Sequence, residues 1–115
     1  MSGDVLLKHF FGGFVRLHLL HHAVQESIYG AEMIEELGRH GYKLSPGTLY
    51  PILHDLAESG YLSCLDDVVE GKRRKNYRAT KKGEQLLADA RTKLRELFHE
   101  IVEESGEAEV PGSGH

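Results

Sequence analysis

The sequence lacks the features that would assign it to several large classes of protein. It has no tryptophan and a single cysteine, Cys64, so it forms no internal disulfide bond, and a reducing compartment is expected. No stretch approaches the roughly 18 uninterrupted apolar residues that a membrane-spanning helix needs. The start, MSGDVLLKHF, carries an acid ahead of its first apolar run instead of the basic residues of a signal peptide. These absences predict a cytoplasmic protein with no membrane segment.

Positive charge is scarce except in one place. The net charge is -4, yet seven of the 14 lysines and arginines lie between Gly71 and Lys82, a stretch that contains no acid. Six of the 18 acids lie from Glu96 onward. One basic region and an acidic rear suit a protein that presents one face to a polyanion such as DNA.

The first apolar region, residues 5–24, has the spacing of a helix with two apolar sides. One side consists of Phe10, Phe14, Leu17, Leu20 and Val24, and the other of Phe11, Val15 and Leu19. Because a small domain has to bury both sides, this pattern favours a partner subunit. The Gly12-Gly13 pair interrupts the pattern, so residues 4–11 either continue the helix or form a separate arm.

Two further helices are predicted before residue 60. Ser27 is expected to cap a helix from Tyr29 to Arg39, with a stop at Gly41 and a short strand at residues 42–44. Ser45-Pro46-Gly47 is a strong start for a helix over residues 45–59, with Ser45 as N-cap. Its apolar stripe consists of Leu49, Ile52, Leu53 and Leu56, and Gly60 ends it.

The remaining chain predicts a hairpin and one long helix. Strands at residues 61–69 and 75–79 are joined by Glu70-Gly71-Lys72, and Arg73-Arg74 belong either to the tip or to the second strand. Thr80 is expected to cap a helix running to about Glu104. Its apolar residues are spaced as in a coiled-coil contact: Leu87, Ala90, Leu94, Leu97 and Ile101.

The predicted fold class is mainly α with a small β-hairpin. Two helices joined by a turn and followed by a basic hairpin form a winged helix-turn-helix domain, here residues 1–80. Residues 81–104 are predicted to be a C-terminal dimerisation helix and residues 105–115 a flexible tail. The helix at 45–59 would enter the major groove of DNA, while the hairpin reaches phosphates. Its outward residues are expected to be Thr48, Tyr50, Pro51, His54 and Asp55.

Several motifs give the chain a family resemblance. They are Ser27-Ile28-Tyr29-Gly30, Leu44-Ser45-Pro46-Gly47-Thr48-Leu49-Tyr50-Pro51-Ile52-Leu53, Gly60-Tyr61-Leu62 and Gly71-Lys72-Arg73-Arg74-Lys75-Asn76-Tyr77-Arg78-Ala79-Thr80, followed by Gly83. Over residues 12–103 the chain resembles the PadR family of bacterial and archaeal transcriptional regulators. The S-x-G-T-L-Y-P element is specific, and the single helix after the hairpin is similar to the short-form members.

The resemblance implies a homodimer that usually represses transcription from an inverted-repeat operator. The residues implied to lie at the DNA are Ser45, Gly47, Thr48, Tyr50, Pro51, His54, Lys72, Arg73, Arg74 and Lys75. The first and last helices would form the dimer interface, through Phe10, Phe14, Leu17, Leu87, Leu94, Leu97, Phe98 and Ile101. The chain departs from the family pattern at Asp55, where many relatives carry arginine, and at Asn76, where an aromatic residue is common.

An effector that releases the DNA is expected, and the sequence offers two places for it. The first is a small-molecule cavity at the dimer centre lined by Phe10, Phe14, Leu94 and Phe98, which the alternative treats as plain dimer packing. The second is a zinc-like divalent metal. His18, His21 and His22 share one helical surface, and His99 or Glu103 could complete the site across the dimer. The alternative is that these histidines are half-buried interface residues. No cofactor is expected to be required.

Two rival functions follow from the same residues. The first is a winged-helix module that binds a protein partner without specific DNA binding. The second is an enzyme, which the sequence argues against because it holds no nucleophile with a base at motif spacing, no Gly-rich phosphate loop and no plausible carboxylate pair. Cys64 is expected to be a small buried apolar residue, not a redox sensor.

Overall fold

The computed structural model describes residues 2–104, with side chains from residue 5 onward. The helices and strands follow one another as α1 (Ser2–Gln25), β1 (Ile28–Tyr29), α2 (Gly30–Arg39), α3 (Pro46–Glu58), β2 (Leu62–Val69), β3 (Lys72–Ala79) and α4 (Lys81–Phe98), with a π-helical segment at His99–Glu104. This mainly helical architecture with one small sheet is the predicted fold class. The predicted tail, residues 105–115, lies outside the described residues.

The chain divides into two compact units, Met1–Glu84 and Gln85–His115. The first unit holds the three-stranded antiparallel sheet, ordered β1-β3-β2. Its core is made of aliphatic residues, of which the largest fully buried ones are Leu19, Leu20, Ile28, Leu37, Leu49 and Leu53. Each such side chain contributes about 1.5–3 kcal/mol relative to its exposed state. Within the described residues, no helix is long and apolar enough to cross a membrane.

Helix α1 is continuous, so the structure shows the first of the two alternatives for residues 4–11, a continued helix and not a separate arm. A helical glycine costs only about 1 kcal/mol, which the turns on either side can offset. The buried residues of α1 are Val15, Leu19, Leu20 and Ala23. The core of the first unit therefore receives Val15 and Leu19 from one apolar side and Leu20 from the other, while Phe10 stays 45% exposed.

The start of α2 differs from the sequence prediction. The N-cap is Tyr29, in extended backbone geometry, and not Ser27. Residues Ile28 and Tyr29 form β1, which pairs with Tyr77 and Asn76 of β3. The strand expected at residues 42–44 does not form: those residues connect α2 to α3, and the third strand of the sheet is β1.

Both helices of the helix-turn-helix end at glycines, as predicted. Gly41 and Gly60 adopt φ angles of +93° and +88°, which a side chain would strain. The following tyrosines then bond back into the helices: the N–H of Tyr42 donates to the Leu37 carbonyl at 2.9 Å, and that of Tyr61 to the Leu56 carbonyl at 2.9 Å. These Schellman motifs fix the residues at which α2 ends before the connection to α3 and at which α3 ends before β2.

Thr80 caps α4 as predicted. Its hydroxyl accepts from the N–H of Gly83 at 3.0 Å and donates to the Gly60 carbonyl at 2.6 Å, so the cap also ties α4 to the end of α3. A Cβ at Gly83 would collide with the backbone carbonyl of Tyr61. The helix predicted to reach Glu104 is α-helical only to Phe98 and continues in π-helical geometry.

Candidate nucleic-acid interface

The outer face of α3 carries the residues that were expected to meet DNA. Leu49, Ile52, Leu53 and Leu56 are buried, which turns the opposite side of the helix toward solvent. The exposed residues of that side are Thr48, Tyr50, Pro51, His54 and Asp55, as predicted. Pro51 lies inside the helix and has no N–H to donate to the Gly47 carbonyl, yet α3 continues through it.

The first turn of α3 presents two hydroxyl groups. Ser45 holds the N-cap position, with φ -88° and ψ 162°, but its side chain makes no capping hydrogen bond. Instead its hydroxyl donates to Oγ1 of Thr48 at 3.3 Å. Both residues are exposed, and the intervening Gly47 adds no side chain. This end of the helix is therefore open to a phosphate or a base edge.

Tyr50 owes its position to Gly30, the first residue of α2. A Cβ at Gly30 would lie 2.5 Å from Cε1, Cζ and Oη of Tyr50, so the ring rests directly on the glycine backbone. The ring is 40% exposed, which leaves its other side available. Gly30 is part of the Ser27-Ile28-Tyr29-Gly30 motif, but the sequence alone assigned no role to this glycine. Its packing role becomes visible only when α2 and α3 are brought together.

The β2–β3 hairpin has a two-residue turn. Glu70 and Gly71 both have positive φ angles, +54° and +79°, which is the geometry that matches the twist of a tight hairpin. β3 starts at Lys72, three residues earlier than predicted. Arg73 and Arg74 therefore belong to the second strand, one of the two alternatives that the sequence left open.

Two acids of β2 lie opposite the basic run of β3, Asp66 across from Lys75 and Asp67 across from Arg74. Arg73 lies 3.9 Å and Lys75 lies 4.0 Å from the carboxylate of Asp66. All three side chains are more than half exposed, so water screens these ion pairs and they hold the cations only weakly. The cations can therefore exchange the carboxylate for a DNA phosphate.

Arg74 has a different partner. Its guanidinium lies over the ring of Tyr29, 4.3 Å from the centroid, and the Tyr29 hydroxyl donates to Asp67 at 2.9 Å. This hydrogen bond is the main reason why the pKa of Tyr29 is raised. Neither Tyr29 nor the two acids were among the predicted site residues. The signal that could have found them is the acid pair on β2 opposite the basic run.

The residues expected at the dimer interface are exposed to different degrees. Phe10 and Phe14 pack on each other with ring centroids 4.4 Å apart, and Phe14 and Leu17 are half-buried. Leu87 is only 6% exposed in the single chain, so its burial needs no partner. The others remain exposed: Leu94 at 38%, Leu97 at 45%, Phe98 at 53% and Ile101 at 60%.

The three histidines expected to bind metal contact neighbouring side chains, and the contacts of His18 and His22 meet at Glu36, which also lies 3.1 Å from Nε2 of His40. His18 stacks on His40, with ring centroids 4.9 Å apart. His21 contacts Gln25, and Nε2 of His22 lies 3.5 Å from Oε2 of Glu36. Burial, followed by the neighbouring histidines, lowers the pKa of His18. In the part of the chain that the structure describes, no group of three or more histidine, cysteine or acidic side chains is placed to hold a metal ion.

The π-helical segment contains its own histidine–acid cluster. His99 contacts Glu103 through Nδ1 at 3.0 Å and Glu104 through Nε2 at 2.9 Å. The hydrogen bond with Glu103 is the main cause that raises the pKa of His99.

Cys64 is exposed, so the expectation of a buried residue is wrong: it lies in a strand whose residues after Leu62 mostly face solvent. The neighbouring Tyr77 is buried, and burial raises its pKa to about 12.

Comparisons with known proteins agree on one family. A family model described as the transcriptional regulator PadR-like family matches residues 19–89. The chain is 44% identical over 108 residues to the transcriptional regulator Rv3488 of Mycobacterium tuberculosis, a match that covers 94% of this chain and 99% of that protein. Two solved structures, each 26% identical with a TM-score of 0.73, are similar. One is a PadR family transcriptional regulator from Eggerthella lenta, covering 89% of both chains, and the other a PadR-like transcription factor from Bacteroides fragilis, covering 85% of this chain and 96% of that one.

Proposed function

Because this chain belongs to the PadR-like family of transcriptional regulators, we propose that it is a homodimeric repressor that reads an inverted-repeat operator. The family consists of transcriptional regulators and not of enzymes, and its fold is the winged helix. In the proposed complex, α3 lies in the major groove and the β2–β3 hairpin lies along the adjacent backbone. The protein would act in the cytoplasm.

The observation that carries this proposal is the outer face of α3 beside a basic strand. Ser45, Thr48 and Tyr50 offer hydroxyl groups on the exposed side of a helix whose other side is fully buried. Hydroxyls can bond to phosphate oxygens and to base edges. The β3 cations Lys72, Arg73, Arg74 and Lys75 supply the positive charge that draws DNA without regard to sequence.

The apolar surface that single chains leave exposed supports the dimer. In the first unit Phe10 is 45% exposed, and in the second unit Leu97 and Phe98 are about half exposed. Contiguous apolar patches of this kind usually mark an interaction surface. A two-fold dimer would place its two α3 helices in successive major grooves, about 34 Å apart, and this spacing would require an inverted repeat.

An effector would act on that spacing. Binding at the dimer core, by a small molecule or a divalent metal, would favour a different separation of the two helices and so lower the affinity for the operator.

The direct test is a fluorescence anisotropy titration against the DNA upstream of the protein's own gene, with scrambled DNA of equal length as the matched control. We expect specific binding at least about a thousandfold tighter than scrambled binding, and both affinities to fall steeply with salt. Running the titration at two salt concentrations, with and without zinc, also tests the metal effector. Equal affinity for both DNAs, repeated with genomic fragments to allow for a distant operator, would favour the protein-binding module instead.

A further inference from the structure

A second feature of the first unit is a cavity of about 880 Å³ between α1 and the segment that joins α2 to α3. Its walls are largely apolar, and they come from α1, the connecting segment and α3: Phe11, Val15, Tyr42, Leu44 and Ile52. The rings of Phe11 and Tyr42 meet edge to face, with centroids 6.1 Å apart. The volume lies in the range of sites that hold drug-sized molecules.

The charged residues around this cavity are all of one sign. Lys8, Arg16 and Lys43 line it, and its lining includes no aspartate or glutamate. None of the three cations forms an ion pair among the described residues. Arg16 instead donates to the Gly12 carbonyl, one turn back in α1, at 3.0 Å. Three unneutralised cations around an apolar concavity are complementary to a ligand with an apolar body and a negative group.

From this combination we infer that the cavity is a binding site for a small organic anion with an apolar, ring-containing body. The aromatic walls would take the body, and Lys43 with Arg16 would take the anionic group. The positive charge alone could also bind a DNA phosphate. A phosphate backbone, however, would make no favourable contact with the recessed apolar wall formed by Phe11, Val15 and Ile52. The apolar lining therefore favours a small molecule.

The position of the cavity gives such a ligand a route to the DNA-binding face. Thr48 and Ile52 of α3 line it, and Thr48 is also among the residues proposed to meet DNA. A ligand in contact with Thr48 competes with DNA for that side chain, and by linkage DNA weakens the ligand to the same extent. This site is separate from the cavity expected at the dimer centre, since it needs no residue from α4.

The test uses two fluorescent probes and the protein without DNA, so it does not depend on the proposed repressor function. The anionic probe is 1-anilinonaphthalene-8-sulfonate, and the neutral probe is N-phenyl-1-naphthylamine, which has the same rings without the sulfonate. Lys43→Gln removes one cation of the cavity, with Lys93→Gln as control on the exposed face of α4. Phe11→Ala opens one wall, with Leu65→Ala, an exposed apolar residue of β2 that does not line the cavity, as control. Far-UV circular dichroism verifies that every variant is folded.

We expect Lys43→Gln to weaken the anionic probe about fivefold and to leave the neutral probe unchanged. Phe11→Ala should weaken both probes about tenfold, since it removes part of the apolar wall that they share. The two control variants should bind both probes like the wild type. The inference is overturned if Lys43→Gln matches Lys93→Gln for the anionic probe, or if Leu65→Ala weakens the probes as much as Phe11→Ala does.

Discussion

Alanine at Gly30 tests whether the start of α2 holds Tyr50 in the position that reads DNA. The added Cβ would lie 2.5 Å from three atoms of the Tyr50 ring, whereas ordinary contact begins near 3.4 Å. The ring therefore has to move by about 1 Å. Because Tyr50 is 40% exposed, its ring can swing toward solvent, and the three atoms nearest to the added methyl group all belong to that side chain.

The expected effect on folding is small and the effect on DNA binding is large. Alanine favours a helix over glycine by up to about 1 kcal/mol, which roughly offsets the cost of displacing an exposed ring. A hydrogen bond from the Tyr50 hydroxyl, by contrast, does not survive a shift of about 1 Å. Losing one base-reading contact costs about 1–3 kcal/mol, so operator affinity should fall about 5- to 150-fold while binding to random DNA changes little.

Fluorescence anisotropy with operator and random DNA measures this, and chemical denaturation measures stability. Gly38→Ala is the matched control in the same helix: its added Cβ has no neighbouring atom within 4 Å, so it should stabilise the fold and bind DNA normally. In a double-mutant cycle, Tyr50→Phe should abolish the further effect of Gly30→Ala. Unchanged operator affinity in Gly30→Ala, or fully additive losses in the cycle, would refute the role assigned to Gly30.

Three further outcomes are expected. Reversing the charge at Arg73 and Arg74 should weaken binding to operator and random DNA alike and flatten its salt dependence, as titrations at several salt concentrations would show; a loss confined to the operator would contradict a phosphate role. Gly83→Ala should destabilise the fold by about 1–3 kcal/mol or more in thermal unfolding, because its Cβ meets the Tyr61 carbonyl, and a rise in Tm would be inconsistent with that contact. Leu94→Asp should give a monomer or an unfolded chain by light scattering, and a stable dimer would rule out Leu94 from the interface.

Much of the fold could be predicted because its signals are local. Ser45-Pro46 at the start of α3, the glycines at both helix ends, the turn at Glu70-Gly71 and the Thr80 cap act within a few residues of the chain. The two-residue strand β1 has no such signal, since Ile28 and Tyr29 become a strand only by pairing with β3. The buried side of α1 could not be predicted either. Both sides are apolar, and only the elements that pack against the helix determine which residues become buried.

Individual residues of the candidate site could be named from the sequence, but the contacts between their side chains could not. The sequence placed Lys72 in the hairpin turn, whereas the structure begins the strand there. A shorter turn fixes the register, and the register sets Asp66 opposite Lys75 and Asp67 opposite Arg74. A change of one or two residues in the turn would bring different side chains together, so the ion pairs depend on backbone geometry that composition does not carry.

The placement of acids opposite the basic strand affects how selectively the protein binds. Arg73 and Lys75 share Asp66, and Arg74 is held on the ring of Tyr29, so a phosphate gains these cations only by displacing an existing partner. The net charge of -4 adds a further, unselective repulsion from DNA. The electrostatic attraction of this strand for random DNA is therefore weaker than that of four unpaired cations would be. In the proposed complex, hydroxyl groups of α3 would contact base edges only at a matching sequence. A weaker contribution from the cations would then leave a larger share of the binding free energy to sequence reading.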